Sequence, residues 1–404
     1  MPSHSAPASA SSRGTDVPGQ AVPSDLAIAI GPAPAAAVLA PLWQDLAERS
    51  EGSFYLSWHW IGPWLAQIDR PAYLLRAETG GQVVALALLC RHRDRRHRFI
   101  TSELLCLQET GNPACDILTI EFNGILHDRR FGPDLAARCL AAILAANPGG
   151  TWDELYLGGV TEDFLPLAEN AGLKLHIRDR RPSAAVDLAA IRASGKSYLD
   201  HLSSNTRYQL RRSLRLYEKR GKLSVTPARD VAEAESFMAG LAELHQKTWL
   251  ARGKSGAFGA TFLPRVHEAV IRASLAEGAV EVVRSAAGEQ AVGYLYNFIY
   301  RGWVGAYLSG FAYEEDAKLK PGLVSHYLCA EHHLAAGRRS YDFMAGDNRY
   351  KTSLGERGPD MLWLSLRRPR LKFVLEDGFG AAYHRLDAWR ETRRKPAAAA
   401  STEE

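Results

Sequence analysis

The sequence lacks the short motifs that identify several large enzyme classes. It contains no G-x-x-x-x-G-K-[ST] phosphate loop, no H-E-x-x-H zinc motif and no G-x-S-x-G nucleophile motif. The glycines at Gly158-Gly159 and Gly31-Pro32 do not form a dinucleotide-binding fingerprint. These absences argue against a P-loop nucleotidase, a zinc protease of that type, an α/β-hydrolase and a Rossmann dehydrogenase.

Cysteine is scarce and irregularly spaced. The chain has five cysteines, an odd number without C-x-x-C spacing, and four of them lie in the first half of the sequence (Cys90, Cys106, Cys115, Cys139 and Cys329). Disulfide frameworks and cysteine zinc sites need paired or clustered cysteines. The pattern therefore predicts reduced thiols, no metal and a cytoplasmic location.

Long apolar runs and strong net charge are also missing. No uninterrupted apolar stretch reaches 18 residues, and residues 27–40 are broken by Gly31-Pro32 and Pro34. Residues 1–24 do not have the character of a signal peptide. There are 49 basic and 45 acidic residues, a balance that does not favour a nucleic-acid-binding protein as a whole. We expect no membrane span, and the oligomeric state stays open.

The order of predicted elements indicates an α+β fold in two parts. A length of 404 residues suits two domains. In each half, helices precede a run of strands, and a helix and a strand follow, which predicts a duplicated plan with mostly antiparallel sheets. We predict a disordered tail at 1–25, folded chain from near Pro41, domains at 26–190 and 191–375, and a C-terminal helix with a disordered tail at 376–404.

The first candidate for chemistry is the segment Lys318-Leu319-Lys320-Pro321-Gly322-Leu323, between a predicted strand and a predicted helix. Proline suits a helix start, glycine allows close approach of a ligand, and the N-terminus of a helix favours phosphate. The alternative is an ordinary helix start with solvated lysines.

The second candidate follows the strand at Tyr341 to Met344. Asp342, Gly346, Tyr350 and Lys351 lie at and after its end, where a rigid scaffold can support a site. Lysine can neutralise phosphate or carboxylate, and tyrosine can donate a proton. A turn with surface charge is an equally simple interpretation.

Two helices carry further candidates. His245 and Trp249 are four residues apart and therefore share a helix face, as a structural pair or as the wall of a pocket. Histidine is well suited to accept a proton near neutral pH. Arg207, Arg211 and Arg215 recur at intervals of four on another helix, which favours either a solvated face or an anion-binding stripe.

Taken together, the run from Ser203 to Lys351 resembles the acetyltransferase domain of the GNAT superfamily, in the CelD-like group that is linked by name to cellulose biosynthesis and related to the FemAB peptidyltransferases. The resemblance depends on the order and spacing of motifs over roughly 150 residues, namely Ser204-Asn205-Thr206-Arg207, Gly221, Leu244-His245, Trp249, Gly253 to Phe258, Gly310-Phe311, Pro321-Gly322, Gly337, Asp342-Phe343, Gly346 and Tyr350-Lys351.

The resemblance implies two tandem GNAT-like units and transfer of an acyl group from acetyl-CoA to an amine. It implies that the donor enters between two splayed strands, near Trp303 to Gly310 and Tyr341 to Met344. The catalytic candidates are then His245 as general base, Tyr350 as the acid for the leaving thiolate, and Asp342. Residues 318, 320, 321, 322 and 323 would bind the cofactor, and Arg207, Arg211, Trp249, Gly346 and Lys351 would bind substrate or phosphate.

Two alternatives stay open. Lys318-Leu319-Lys320-Pro321-Gly322-Leu323 departs from the usual GNAT pattern Q/R-x-x-G-x-G/A, and FemAB relatives use aminoacyl-tRNA as donor. The chain could therefore be a FemAB-like aminoacyl or peptidyl transferase, the one setting in which we expect a nucleic-acid partner. It could also be a non-catalytic binding module in exopolysaccharide assembly. The acceptor, a small molecule, glycan or peptide of polysaccharide or cell-envelope metabolism, is not specified.

Overall fold

The computed structural model describes residues 20–96 and 100–376. Most of the first half forms helices and strands of one sheet: β1 Ala27–Pro32, α1 Ala36–Arg49, α2 Trp58–Gln67, β2 Ala72–Thr79, β3 Gln82–Arg96, β4 Ile100–Leu107, β5 Leu126–His127, α3 Gly132–Ala145, β6 Glu154–Thr161, α4 Leu165–Glu169 and β7 Lys174–Arg181. The folded chain begins earlier than Pro41, because β1 pairs with β2 along its whole length.

The second half contains the remaining elements: β8 Ala184–Asp187, α5 Leu188–Ser194, α6 Tyr198–His201, α7 Ser204–Glu218, β9 Leu223–Pro227, α8 Val231–Ala251, α9 Phe262–Ser274, β10 Val280–Ala287, β11 Gln290–Tyr300, β12 Trp303–Phe311, α10 Pro321–Ala335, β13 Ser340–Asp342, α11 Arg349–Leu354, β14 Glu356–Arg357 and β15 Met361–Arg367. In the described part of the chain, no helix is both long enough and apolar enough to cross a bilayer.

The two sheets repeat one topology. The first has the order β1-β2-β3-β4-β6-β15-β7 and the second the order β14-β8-β13-β12-β11-β10-β9. In the first sheet, β1 to β4 are antiparallel neighbours, and β4 then pairs in parallel with β6. In the second sheet, β9 to β12 are antiparallel neighbours, and β12 then pairs in parallel with β13. The predicted α+β class and the predicted duplication are therefore confirmed.

Each sheet takes one strand from the other half of the sequence. β15 lies between β6 and β7 in the first sheet, and β8 pairs with β13 and β14 in the second. The predicted domain at 26–190 therefore includes β8, which belongs to the second sheet. The predicted domain at 191–375 includes β15, which belongs to the first sheet.

The predicted tails lie largely outside the described residues, as does the predicted C-terminal helix beyond residue 376. Within the predicted N-terminal tail, however, Gln20 and Asp25 have defined contacts. The Gln20 N–H donates to the carbonyl of Arg130, and the Asp25 carboxylate accepts hydrogen bonds from Thr79 and Gly80.

A continuous apolar core joins the halves. Residues of α1 and α2 and of the segment between them pack on the face of the second sheet that carries Tyr296, Phe298 and Tyr307. Phe54 and Phe298 stack with their ring centroids 4.1 Å apart. The Arg301 guanidinium donates to the carbonyls of Ala47 and Ser50, which caps the C-terminal end of α1 from the other half of the chain. This interface fixes one half relative to the other beside the site described next.

Candidate functional site

Strands β12 and β13 separate after a short parallel pairing. Trp303 to Gly305 pair with Ser340 to Asp342. On the other edge of β12, Tyr296 of β11 pairs with Leu308 and Asn297 with Ala306, so that Tyr307 is an extra residue in a bulge. A bulge bends its strand. Beyond Gly305, the edge of β12 that faces β13 has no strand partner among the described residues, and a cleft opens there.

Helix α10 begins at the open end of this cleft. The Lys320 N–H donates to the Ser213 hydroxyl of α7 at 3.0 Å, and Pro321 has no N–H. In the described structure the N–H groups of Gly322 and Leu323 have no hydrogen-bond acceptor. Such groups and the positive end of the helix dipole suit an anion.

The side chains around the start of α10 are also suited to binding an anion. Lys318 is exposed and Lys320 is half-buried, whereas Pro321, Gly322 and Leu323 are buried. A β-carbon added at Gly322 would lie 3.1 Å from ring atoms of Phe311, at the end of β12. Glycine therefore lets α10 start directly against the cleft.

The closed end of the cleft contains a buried carboxyl, Asp342. Its Oδ2 accepts a hydrogen bond from Trp303 Nε1 at 3.2 Å, and its Oδ1 accepts one from the Met344 N–H at 2.7 Å. Met344 has a positive φ of 62°, which is uncommon for a residue with a side chain. The chain thus turns sharply where β13 ends.

Lys351 and Glu121 meet the same turn. Lys351 Nζ donates to the carbonyls of Met344 at 3.1 Å and Ala345 at 2.7 Å. Glu121, from the first half of the chain, accepts a hydrogen bond from the Ala345 N–H at 2.8 Å. Both side chains are buried, with Lys351 6% and Glu121 5% exposed. Gly346 matters here because a β-carbon on it would lie 3.1 Å from Lys351 Nζ.

Burial shifts the pKa values of these groups towards neutral pH. It raises the pKa of Glu121 to about 7, with Asp342 adding to the effect and the Ala345 hydrogen bond and Lys351 opposing it. It raises the pKa of Asp342 to about 6 against the opposing hydrogen bonds from Met344 and Trp303. Burial also lowers the pKa of Lys351, although both carboxyls oppose this shift. Carboxyls with such pKa values are suited to general acid–base chemistry.

Aromatic and imidazole side chains surround the bulge. The Tyr307 hydroxyl donates to the carbonyl of Leu118 in the first half of the chain. The His267 ring lies 5.1 Å from the Tyr307 ring and 5.3 Å from the Tyr296 ring. His267 is buried with both ring nitrogens unpartnered, and the hydroxyls of Tyr296 and Tyr55 also lack partners. Buried polar atoms of this kind are rare in proteins and common beside functional sites.

His245 lies on the other side of β12, at its end. Its Nδ1 is 3.1 Å from the carbonyl of Ser309, and its Nε2 is 3.4 Å from the Ala257 N–H that points towards it. The rings of Trp249 and Phe258 are 5.8 Å and 5.4 Å away. Burial lowers its pKa. Both nitrogens are thus already engaged in holding α8 to neighbouring backbone.

Tyr350 lies on α11 beside α10. Its ring stacks on that of His326 with centroids 5.1 Å apart, and burial raises its pKa. His326 Nδ1 is 3.0 Å from the Tyr341 hydroxyl, while its buried Nε2 has no partner. Phe311 and Phe343 complete the surroundings of this imidazole. His326 is a second site candidate that sequence reasoning missed.

Helix α7 contacts the start of α10 through Ser213, whose hydroxyl accepts a hydrogen bond from the Lys320 N–H. Ser213 is buried, whereas Arg211 and Arg215, two positions to either side of it, are exposed. Positions two apart on a helix point in nearly opposite directions, so the predicted arginine stripe faces away from the start of α10. Arg207 forms an ion pair with Asp200 at 3.5 Å.

The predicted residues fall into four groups. Asp342, Gly346 and Lys351 share the closed end of the cleft. The second group lies at or beside its open end (Lys318, Lys320, Pro321, Gly322, Leu323 and Tyr350). Arg207 and Arg211 lie on the outer side of α7. His245 and Trp249 are together elsewhere, and in the described part of the chain no hydrogen bond, ion pair or ring contact joins them to Asp342 or Tyr350. Glu121 and His267 carry no local motif that would have identified them.

The equivalent gap in the first sheet is closed by its own chain. β4 and β6 pair in parallel only from Leu104 to Cys106. Beyond this pairing, Asn123 Nδ2 donates to the carbonyls of Leu107 at 3.0 Å and Gly158 at 2.9 Å, and its N–H donates to Gly159. The side chain thus bridges the two strands, whereas among the described residues no side-chain hydrogen bond of this kind joins β12 to the segment after β13 beyond Gly305.

Comparisons with known proteins agree with this arrangement. The model of a GNAT acetyltransferase domain matches residues 204–352. Curated protein sequences give no match. The crystal structure of FemX is 12% identical with a TM-score of 0.55, over 81% of this chain and 96% of that chain.

Two further solved structures are similar to this chain. One is the C-terminal domain of a lysylphosphatidylglycerol synthetase described for Agrobacterium fabrum, with 14% identity, a TM-score of 0.49 and coverage of 85% and 96% of the two chains. The other is a tandem GNAT protein from the clavulanic acid biosynthesis pathway, with 12% identity, a TM-score of 0.42 and coverage of 85% and 100%. Residues 204–352 therefore match the model of a GNAT acetyltransferase domain, and the fold of the chain is similar to that of FemX.

Proposed function

We propose that the protein transfers an acetyl group from acetyl-CoA to an amine. The observation that carries the proposal is the cleft between β12 and β13. It has the start of α10 at its open end and two buried carboxyls with raised pKa values at its closed end. A thioester held between these ends would present its carbonyl to the bent part of β12.

The chain supplies a distinct group for each part of the donor. The N–H groups of Gly322 and Leu323, with Lys318 and Lys320, would bind its phosphates. The unpaired backbone edge of β12 would hydrogen-bond to the pantetheine arm and stabilise the oxyanion that forms when the amine attacks. Tyr350, whose phenol stays neutral because burial raises its pKa, would return a proton to the departing thiolate.

The Glu121–Asp342 pair is our candidate for the general base, in place of the base that the sequence suggested. The amine must lose a proton as its nitrogen bonds to the carbonyl carbon. A carboxylate with a pKa of about 7 matches that task at neutral pH. His245 stays the alternative, although both of its nitrogens have partners.

The acceptor would approach from the side of α7 and α8. Arg207, Arg211 and Trp249 are our candidates for contacts with a small-molecule, glycan or peptide amine. An acceptor from polysaccharide or cell-envelope metabolism would fit the family resemblance of the sequence.

Acetyl transfer can be tested directly with the full chain. We expect release of free CoA from acetyl-CoA in the presence of one member of a panel of amino sugars, amino acids and short peptides. Absence of binding and of transfer at millimolar acetyl-CoA would overturn the proposal.

A FemAB-like aminoacyl transfer is the second candidate function. Two observations favour it, the exposed basic residues of α7 and the fold shared with FemX. This function predicts binding of aminoacyl-tRNA with an affinity that falls steeply as salt rises. Binding of acetyl-CoA without binding of tRNA would exclude it. A non-catalytic module would bind neither donor productively and would release no thiol with any amine.

A further inference from the structure

The far end of α10 carries a cluster of metal-ligand side chains that the acyl-transfer site does not use. Glu281 lies at the start of β10, and His332 and His333 lie in the last turn of α10. One ligand atom from each of the three lies within 4.8 Å of the others. His333 and its surroundings are buried, while Glu281 and His332 are partly exposed and give access from solvent.

The distances in this cluster are also those expected between ligands of a shared metal ion. His332 Nε2 is 3.5 Å from Glu281 Oε1, and His333 Nε2 is 3.4 Å from Glu281 Oε2. Hydrogen bonds between such groups are normally about 2.7–3.2 Å long. Ligands on a tetrahedral zinc ion, with bonds of about 2.0–2.2 Å, stand about 3.3 Å apart.

Unpartnered polar atoms add a second, independent observation. Glu281 Oε2 has no hydrogen-bond partner, and neither has the Oδ1 of the completely buried Asn297. The Asn297 amide lies 3.5 Å from His333 Nε2. Buried polar atoms of this kind require an explanation, and an unrecorded ion is one of the usual ones. Arg338 is the other charged group that faces the cluster.

We propose that Glu281, His332 and His333 bind one divalent transition-metal ion, with zinc as the best match. Two imidazoles and one carboxylate form a common zinc ligand set that leaves a fourth position for water. The bound ion would fasten the end of α10 to β10. About 18 Å of helix separates His333 from Pro321, so that the ion would have a structural role apart from the acyl-transfer cleft.

This proposal departs from the sequence prediction of no metal. That prediction considered cysteine spacing and the H-E-x-x-H motif. His332 and His333 are adjacent, and Glu281 is 51 residues earlier, so that no local pattern revealed the set. The fold brings them together because α10 packs across β10 and β11.

Calorimetric titration of the full-length, tag-free chain with zinc chloride tests the proposal. We expect one zinc ion per chain, and at least a tenfold loss of affinity in both Glu281→Gln and His332→Ala. His201→Ala removes an exposed imidazole from α6 and is the matched control, with unchanged affinity expected. Zinc binding that neither substitution weakens, or the absence of any stoichiometric binding, would overturn the proposal.

A second measurement does not depend on whether a variant folds. Crystals of the wild-type chain grown with zinc should give an anomalous scattering peak about 2.0–2.2 Å from His332 Nε2, His333 Nε2 and a Glu281 oxygen. A zinc peak elsewhere in an otherwise ordered crystal would contradict the assignment. Neither measurement requires acyl transfer, so each proposal can fail without the other.

Discussion

Glu121 and Asp342 reach the same turn from opposite halves of the chain, and each is a carboxyl that burial makes harder to ionise. The hydrogen bond from Ala345 holds Glu121 in place, and those from Trp303 and Met344 hold Asp342. A proton acceptor that is already held in position does not have to be oriented when the amine binds.

Substitution of Glu121 distinguishes the two candidate bases. Glu121→Gln keeps an oxygen that can accept from the Ala345 N–H but removes the proton-accepting carboxylate. We expect kcat to fall about 10²–10⁴-fold with little change in the KM for the donor. His245→Ala is the comparison, and we expect a smaller loss there because its nitrogens hold backbone groups. A Glu121→Gln enzyme with full activity beside an inactive His245→Ala enzyme would reverse the assignment.

The raised pKa of Glu121 also predicts how stability depends on pH. Between the ordinary carboxyl pKa of about 4.3 and the folded value of about 7, the folded state keeps a proton that the unfolded state loses. Stability should therefore fall as pH rises through this window, by an amount on the order of 3–4 kcal/mol.

Denaturant unfolding at a series of pH values measures this effect. The wild-type chain should lose more stability between pH 4.5 and pH 7.5 than Glu121→Gln, which has no proton to lose at this position. Parallel curves for the two proteins would mean that Glu121 is not a titrating group in that range.

At the level of single residues, the sequence predicted what is local. Asp342, Gly346 and Lys351 lie within ten residues of one another, and the fold keeps them together. Glu121 is 221 positions before Asp342, and its segment contains no motif, so that only the packing of two halves reveals it. His326 sits in an apolar helix where a core position is the simpler expectation.

At the level of elements, five strands were not predicted, namely the two-residue strand β5 and the four edge strands β1, β7, β9 and β14. β1 and β9 end in proline, and β7 is rich in basic residues. Proline and charge protect sheet edges from further pairing, and the same features weaken the strand signal in a sequence. Interior strands such as β10, β11 and β12 have the apolar character that made them predictable.

The exchange of β8 and β15 could not be predicted, because a short apolar strand carries no information about which sheet it joins. It has a testable consequence for fragments of the chain. Residues 182–358 contain all seven strands of the second sheet, whereas residues 191–375 lack β8 and expose the apolar β15. We expect the fragment 182–358 to be the more soluble and the more resistant to protease.

The two fragments share residues 191–358 and differ in residues 182–190, which contain β8, and in residues 359–375, which contain β15, so that their comparison tests the exchange. Circular dichroism on heating should show a cooperative transition for 182–358 and not for 191–375. Equal cooperativity in both fragments would show that β8 is dispensable for the second sheet.

At the level of the whole molecule, the two halves act as one unit because the site draws on both. Arg301 links them by donating to the carbonyls at the end of α1. Arg301→Ala removes both of these hydrogen bonds, after which the Ala47 carbonyl keeps only the bond from the Ser50 N–H among the described residues, and we expect a loss of about 1–3 kcal/mol in the free energy of unfolding.

Arg229→Ala is a suitable control for Arg301→Ala. Arg229 is exposed and precedes α8, and it forms an ion pair with Glu233 in the first turn of that helix, a type of ion pair that contributes less than about 1 kcal/mol. Urea denaturation should therefore separate the two variants clearly. Equal stability of both would remove the role that we give to Arg301 at the interface.

The order of elements predicted the duplicated plan, but it did not predict that the gap between the strands differs in the two sheets. Asn123 closes the first by hydrogen bonds to Leu107 and Gly158, and an asparagine in a loop gives no sign of this use. The bulge at Tyr307 opens the second. One topology thus yields a closed unit that contributes Glu121 and an open unit that we propose binds the donor.

The binding of acetyl-CoA to a variant at the mouth of the cleft tests this central claim most directly. Gly322→Val would place a side chain against Phe311 where the donor phosphates should pass, whereas Gly31→Val adds the same atoms in open space on β1. Calorimetry should show acetyl-CoA binding to the wild-type chain and to Gly31→Val, and at least a tenfold weaker affinity for Gly322→Val. Equal affinity for all three folded proteins would contradict the account.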